Sequence, residues 1–236
     1  MKFPRPADSW QEAVKYKAIA LDIDGTVSSH ISSWQLIHES LGIWSGGAEA
    51  YQEKFLAGEI SYREFCELDA AEWKGIEEEK VRRLFSGVSY TPNSLECLKE
   101  LKSTGFKIAA VSTGLQYIPE KIAEEVCLDA VACNRLLAEN GRLTGKVRID
   151  VSHDGKGAAL REILEKSGLR GEETIGVGDS EGDVQLAQEC GYFIAFNSSS
   201  RKLYDAADYR CLSEDFREVM DTILAAAGIA GPAAEV

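Results

Sequence analysis

The sequence predicts a doubly wound α/β fold: a parallel-sheet core into which an all-helical cap and a β-hairpin are inserted. Short apolar runs alternate with amphipathic stretches of helical period, the pattern of strands that are covered on both faces by helices. A long interval after the first run is helical throughout, and a single Asn-Gly pair lies between two alternating runs.

Taken in chain order, Lys17 to Leu21 (KAIAL) reads as the first buried strand and ends at Asp22. From Ser29 to about Tyr90 apolar residues such as Trp34, Leu41, Phe55, Tyr62, Phe65 and Trp73 recur every three or four positions, which predicts a small helical bundle. Tyr62 and Trp73 read as part of its core. Helical stretches at Asn93 to Ser103, Tyr117 to Glu125, Lys156 to Ser167 and Asp183 to Glu189 then alternate with apolar runs at Phe106 to Val111, Thr174 to Val177 and Tyr192 to Phe196. Asn134 to Val147 holds the hairpin around Asn140-Gly141, a pair suited to a type I′ turn. The tail, Ala225 to Val236, is rich in Ala and Gly and is expected to fray. These boundaries give a Rossmann-like core of residues 1–28 and 91–236 and a helical cap of residues 29–90 placed on the sheet edge where such folds bind ligands.

A net charge of −13, with no Lys/Arg run to form a stripe along a phosphate backbone, argues against a nucleic-acid partner. No stretch reaches the roughly 20 apolar residues that span a bilayer, and the N-terminal MKFPRPADSWQEAVKYK carries charges where a signal peptide needs an apolar run. The expectation is a cytoplasmic protein without a membrane partner. The six cysteines contain no Cys-x-x-Cys pair and the three histidines are dispersed, so neither a zinc knuckle nor an imidazole metal site is expected. Nothing in the sequence sets an oligomeric state.

Chemistry concentrates at four predicted strand ends. Asp22-Ile23-Asp24-Gly25-Thr26 places two carboxylates beyond the first strand, with Gly25 allowing a sharp turn. Alone, it reads equally as an acidic turn. Ser112-Thr113-Gly114 offers a hydroxyl and backbone N–H groups, Lys156 stands between glycines, and Asp179 and Asp183 are four residues apart, as on one face of a helical turn. Phosphoryl transfer needs an in-line nucleophile, neutralisation of the phosphoryl oxygens and a proton donor for the leaving oxygen. Asp22 is the candidate nucleophile, ionised without an activating base. Asp24 is the candidate general acid and base, a role that asks for a raised pKa. Ser112, the Thr113 amide and Lys156 would bind phosphoryl oxygens. Mg²⁺ would sit on Asp22, Asp179 and the Asp24 carbonyl, with Asp183 ordering Lys156 or a water.

This constellation resembles the four motifs of the haloacid-dehalogenase-like phosphohydrolase superfamily, with Asp22/Asp24, Ser112, Lys156 and Asp179/Asp183 in order. The helical insertion, the Asn134-Arg135-Leu136 hairpin and Lys156-Gly157 resemble the phosphoserine phosphatase branch. The resemblance implies a metal-bridged aspartyl-phosphate intermediate, a cap that opens and closes, and a small phosphorylated metabolite as substrate. It departs where the substrate is chosen. Ile31 stands where that branch has a Glu for the ammonium group, a gap-free alignment puts Asp69 where it has an Arg for the carboxylate, and Gly182 replaces an Asn. Ser28, His30, Arg63 and Asp69 are therefore the candidates for recognising another head group. The alternatives are a phosphotransferase or mutase built on the same aspartyl-phosphate, and a non-enzymatic phospho-switch, whose receiver domains are shorter and have no helical lid.

Overall fold

The computed structural model describes residues 15–29 and 32–229, with the backbone alone at 45 and 46. His30, Ile31, the first fourteen residues and the tail beyond 229 lie outside the described residues.

Seven strands form one sheet: β1 (Ala18–Leu21), β2 (Lys107–Leu115), β3 (Ala130–Glu139), β4 (Arg142–Arg148), β5 (Thr174–Gly178), β6 (Tyr192–Phe196) and β7 (Tyr209–Cys211), in the order β4-β3-β2-β1-β5-β6-β7. All neighbours are parallel except β3 and β4. β1 is central because its AIAL run is buried on both sides. The chain leaves it toward β2 and later returns on its other side at β5, so the strand order reverses at the carboxyl end of β1 and opens a crevice there.

Helices cover both faces. Ile19 and Leu21 point, with Ile108, Ile175 and Val177, into a cluster completed by α5 (Ser94–Ser103), α6 (Tyr117–Val126) and α10 (Arg217–Ala226). Ala18 and Ala20 face the other way, toward α7 (Lys156–Ser167), α8 (Val184–Glu189) and α9 (Arg201–Ala206). Each fully buried Ile or Leu here contributes about 1.5–3 kcal/mol relative to exposure.

Between β1 and β2 the chain forms α1 (Ser33–Leu41), a π-helical turn (Trp44–Ala48), α2 (Glu49–Leu56), α3 (Tyr62–Glu72) and α4 (Glu78–Leu84). Serines start the first and third of these helices. Ser32 accepts from Gln35 N, and Ser61 makes a reciprocal capping box with Glu64.

Three local features go beyond the sequence reading. β3 begins as a parallel partner of β2 through Ala130, Val131 and Ala132 before it becomes the hairpin's first arm. β7 has only three residues, with Arg210 at its middle, so it shows no apolar run. Asn93 precedes α5 in a left-handed conformation and bonds Asp215 at 2.9 Å rather than capping the helix. The hairpin turn is as expected, with φ of 50° at Asn140 and 74° at Gly141. The hairpin also grips the helical insertion, because Gly75 N donates to Leu143 O (2.8 Å), Leu143 N to Ile76 O (2.8 Å) and Glu78 N to Gly141 O (3.0 Å).

Candidate active site

Asp22 leaves β1 with its N–H still bonded to Val177 O at 2.9 Å, so the ladder that ties β1 to β5 also fixes this residue's backbone. Its buried carboxylate accepts from Lys156 Nζ at 2.7 Å, and the same ammonium donates to Asp183 at 2.5 Å. Burial pulls the Lys156 pKa down, but Asp183 and Asp22 outweigh it and hold the ammonium above its ordinary value. Burial, followed by the charge of Asp183, pushes Asp22 well up, with Lys156 opposing.

Asp183 is not on a shared helical face with Asp179, as the spacing suggested. Asp179 precedes a short 3₁₀ turn (Glu181–Asp183), and the Asp183 carboxylate folds back to accept from the N–H groups of Asp179 (3.1 Å) and Ser180 (3.0 Å). Asp183 thus holds Lys156 on one side and the Asp179 backbone on the other. Asp179 in turn accepts from Thr26 Oγ1 at 3.1 Å. Gly25 sits at φ +89°, and a Cβ there would come within 2.6 Å of Asp179 Oδ2, so this turn requires glycine on both counts.

Carboxylate oxygens of Asp22, Asp179 and Asp183 come within 4.8 Å of one another. Asp183 is spent on Lys156 and the backbone, which leaves Asp22 and Asp179 facing each other. Burial and then the charge of Asp183 raise Asp179 above its ordinary value. Hard oxygen donors that crowd together at this cost fit a divalent cation such as Mg²⁺.

Asp24 is held by the helical insertion. Ser33 N, in the first turn of α1, donates to Asp24 Oδ2 at 2.7 Å, while Ser33 Oγ accepts from Leu115 N at 2.8 Å. Burial pushes Asp24 up to about 6 against the Ser33 hydrogen bonds. Its Oδ1 has no hydrogen-bond partner among the described residues. Gly114 makes room for it, since a Cβ there would lie 2.5 Å from Asp24 Oδ2.

Ser112 lies where the β2–β3 register shifts between Val111 and Leu115. Its buried Oγ accepts from Gly114 N at 2.9 Å, which leaves the hydroxyl hydrogen to be donated elsewhere. The Thr113 carbonyl accepts from Trp34 Nε1 (3.1 Å), Tyr62 Oη (3.0 Å) and Asn134 Nδ2 (2.9 Å). Beside Gly25 and Asp179 a cavity of about 790 Å³ opens, lined also by Ser29, Ser180, Asn197 and Lys202.

The structure thus brings Asp22, Asp24, Ser112, Thr113, Lys156, Asp179 and Asp183 to one crevice. Of the candidate head-group residues, His30 lies outside the described residues, and the other three have other surroundings. Asp69 is buried inside the helical insertion, its Oδ1 3.1 Å from His38 Nε2 without the alignment of a regular hydrogen bond. Arg63 is exposed and reaches Glu67 on its own helix at 3.8 Å. Ser28 is buried, its backbone bridging Asp24 and Tyr90. Sequence reasoning did not single out Ser33, read Trp34 and Tyr62 as bundle positions, and named Asn134 only as part of the hairpin. Tyr62 and Trp34 carry the periodicity of bundle core, and only the docking of the bundle reveals where their polar ends reach.

The sequence model for haloacid dehalogenase-like hydrolases matches residues 19–188. The chain belongs to this family. Its relatives include the phosphoserine phosphatase of Methanocaldococcus jannaschii, 29% identical over 89% of this chain and 98% of that protein, and that of Streptococcus thermophilus, 30% identical over 75% and 82%. The phosphoserine phosphatase of Archaeoglobus fulgidus is 36% identical over 66% of this chain, a stretch that spans 45% of the archaeal protein. Among solved structures, a substrate-bound phosphoserine phosphatase superposes with a TM-score of 0.76 at 28% identity, and a phospho-aspartyl intermediate analogue of phosphoserine phosphatase with 0.75 at 28%. The matches cover 88% of this chain and 98% and 99% of theirs, respectively. This haloacid dehalogenase-like hydrolase is a phosphatase of the phosphoserine phosphatase branch, and no described helix is long and apolar enough to cross a membrane.

Proposed function

We propose that this chain is a Mg²⁺-dependent phosphatase of small phosphomonoesters that works through a phosphoryl group carried by Asp22. The observation that supports it best is the Asp22 carboxylate, buried at the sheet's switch point and oriented by Lys156 at 2.7 Å. In the first half-reaction an Asp22 oxygen forms a bond to phosphorus as the ester P–O bond breaks, and Asp24 gives its proton to the leaving oxygen. In the second, Asp24 takes a proton from water, the water oxygen bonds to phosphorus, and the Asp22–phosphorus bond breaks to return the carboxylate and free phosphate. A carboxyl group held near 6 can serve in both directions at neutral pH. Lys156, the Ser112 hydroxyl and the Thr113 amide bind the phosphoryl oxygens. Asp22, Asp179 and the Asp24 carbonyl would hold a divalent cation, which supplies charge neutralisation when bound.

The substrate reading follows from Asp69. In the gap-free alignment it occupies the place of a carboxylate-binding Arg, yet it is enclosed with His38, so the charged part of a zwitterionic substrate meets no cation from this position. We infer a small phosphomonoester whose head group is recognised by other residues. All six cysteines are free, which suits a reducing, cytoplasmic location.

The test is phosphate release from a panel of phosphoserine, sugar phosphates and phosphoglycerates with and without Mg²⁺, using Asp22→Asn as the blank. Turnover that needs both Mg²⁺ and Asp22 is the expected result. Full activity in Asp22→Asn would sink the nucleophile assignment, and a preference for phosphoserine would sink the reading of Asp69. A new phosphoester in place of free phosphate would make the chain a phosphotransferase.

A further inference from the structure

We propose that Tyr62 and Trp34 are positioning residues through which the helical insertion sets the Ser112 hydroxyl for phosphate. The idea rests on the phosphatase reading above, and its route is a single peptide group. The carbonyl of Thr113 and the N–H of Gly114 belong to one planar unit, so whatever orients one end orients the other. At the carbonyl end three donors converge: Trp34 Nε1 and Tyr62 Oη from the insertion, and Asn134 Nδ2 from β3. At the amide end Gly114 N donates to Ser112 Oγ at 2.9 Å. An oxygen that accepts there has its own hydrogen left to give, and the direction of that hydrogen follows from where the Gly114 N–H enters. Donors on a carbonyl also polarise its amide and strengthen the bond made at the other end.

The three donors differ in what they are attached to. Asn134 is fully buried, and its Oδ1 accepts from Asp150 N (2.9 Å) and Val151 N (3.0 Å), so it is a fixed part of the core. Trp34 and Tyr62 come from α1 and α3. Those helices are tied together inside the insertion by the 3.1 Å approach of His38 to Asp69, four and seven residues further along the same two helices. The Tyr62 hydroxyl is used twice, accepting from Asn134 Nδ2 at 3.1 Å and donating to Thr113 O at 3.0 Å. Docking of the insertion on the core therefore completes the set of donors, and moving it away would leave the Thr113–Gly114 peptide held by Asn134 alone. The three residues fix the phosphate donor without touching phosphate.

The test is a double-mutant cycle with Ser112→Ala, read by kcat/KM and by the affinity of the Mg²⁺-loaded protein for inorganic phosphate. Tyr62→Phe and Trp34→Phe keep the aromatic bodies and remove only the donors. Each is expected to weaken phosphate binding and lower kcat/KM by about fivefold, the worth of one hydrogen bond. In the Ser112→Ala background the same substitutions should change neither quantity. An equal loss in both backgrounds, or a lowered melting temperature with unchanged phosphate affinity, would overturn the proposal. The phosphate-binding arm is independent of turnover. If the wild-type protein released no phosphate from any ester, the phosphatase reading would fall while the cycle still decided the role of Tyr62 and Trp34.

Discussion

Replacing Asp24 with asparagine separates the cost of keeping this carboxylate in the crevice from its proposed use in proton transfer. Burial moves the group from about 3.9 in an unfolded chain to about 6 in the metal-free fold. The folded state therefore binds the proton more tightly. Stability from this group is complete below about 3.9, is lost as pH rises toward 6, and stays lost above it. At roughly 1.4 kcal/mol per pH unit, integration from pH 4.5 to 7.5 gives about 2 kcal/mol. Asp24 keeps some exposure at the mouth of the crevice, so this is an upper value. The asparagine side chain does not titrate. Its amide also fills the place of Oδ1, which has no partner among the described residues, at a cost that is the same at every pH. The predicted quantity is therefore the change in the stability gap between the two proteins. Between pH 4.5 and 7.5 it should move in favour of Asp24→Asn by up to about 2 kcal/mol, or roughly 4–8 °C in Tm for a chain of this size. Thermal melts of chelator-treated protein across that range measure it. A gap that stays constant, or moves toward the wild type as pH rises, would refute the argument that burial dominates Asp24.

Lys156→Met should destabilise the metal-free protein by about 3–5 kcal/mol in urea melts, because it strands Asp22 and Asp183 without their shared cation; a loss below about 1 kcal/mol would contradict the pairing. Asp69→Asn should lower stability by about 1–3 kcal/mol and leave KM unchanged, since the carboxylate is enclosed with His38; a raised KM at unchanged Tm would make Asp69 a substrate contact. Ser33→Pro removes the N–H that Asp24 accepts while proline suits the first helical position, and the extended Ser32 (φ −153°, ψ 119°) tolerates a following proline. Losing a donor to the ionised form should move the Asp24 limb of the pH–rate profile to higher pH, and further than in Ser33→Ala, which loses the hydroxyl but keeps the N–H; matching profiles for the two variants would argue against the contact.

The core could be read from sequence because its signals are local. A buried strand such as AIAL, a helix opening at Lys156 between glycines, and an Asn-Gly hairpin each declare themselves within a few residues. β7 and the start of β3 escaped because pairing stretches of three residues are too short to carry a period. Asp183 was found for the right region and the wrong geometry: four-residue spacing suggests a helical face, but the side chain turns back to cap the backbone of its own loop. Asp69 illustrates a signal that was present and outweighed. It shares the i, i+3, i+4, i+7 face of Cys66, Ala70 and Trp73, a stripe that points into the bundle. The residue that a relative carries at that position says nothing about this stripe. Contacts such as Trp34 to Thr113 have no local signature, because they depend on where two separately folded faces meet.

The division of the chain into core and insertion is consequently not the division between chemistry and recognition. Ser33, Trp34 and Tyr62 belong to the insertion, yet they bond Asp24 and the Thr113 carbonyl. One layer inward, His38 and Asp69 meet each other and hold the helices that carry those residues. If Asp24 and Ser112 act as proposed, a change of substrate within such a fold cannot freely rebuild either layer, since the first positions Asp24 and the Thr113 peptide, and the second sets the spacing of the first. Recognition of the leaving group is then left to positions that neither layer uses. The cavity beside Gly25 and Asp179 offers them, with Ser29 on the insertion side and Asn197 and Lys202 on the core side, within the size range of small-molecule sites.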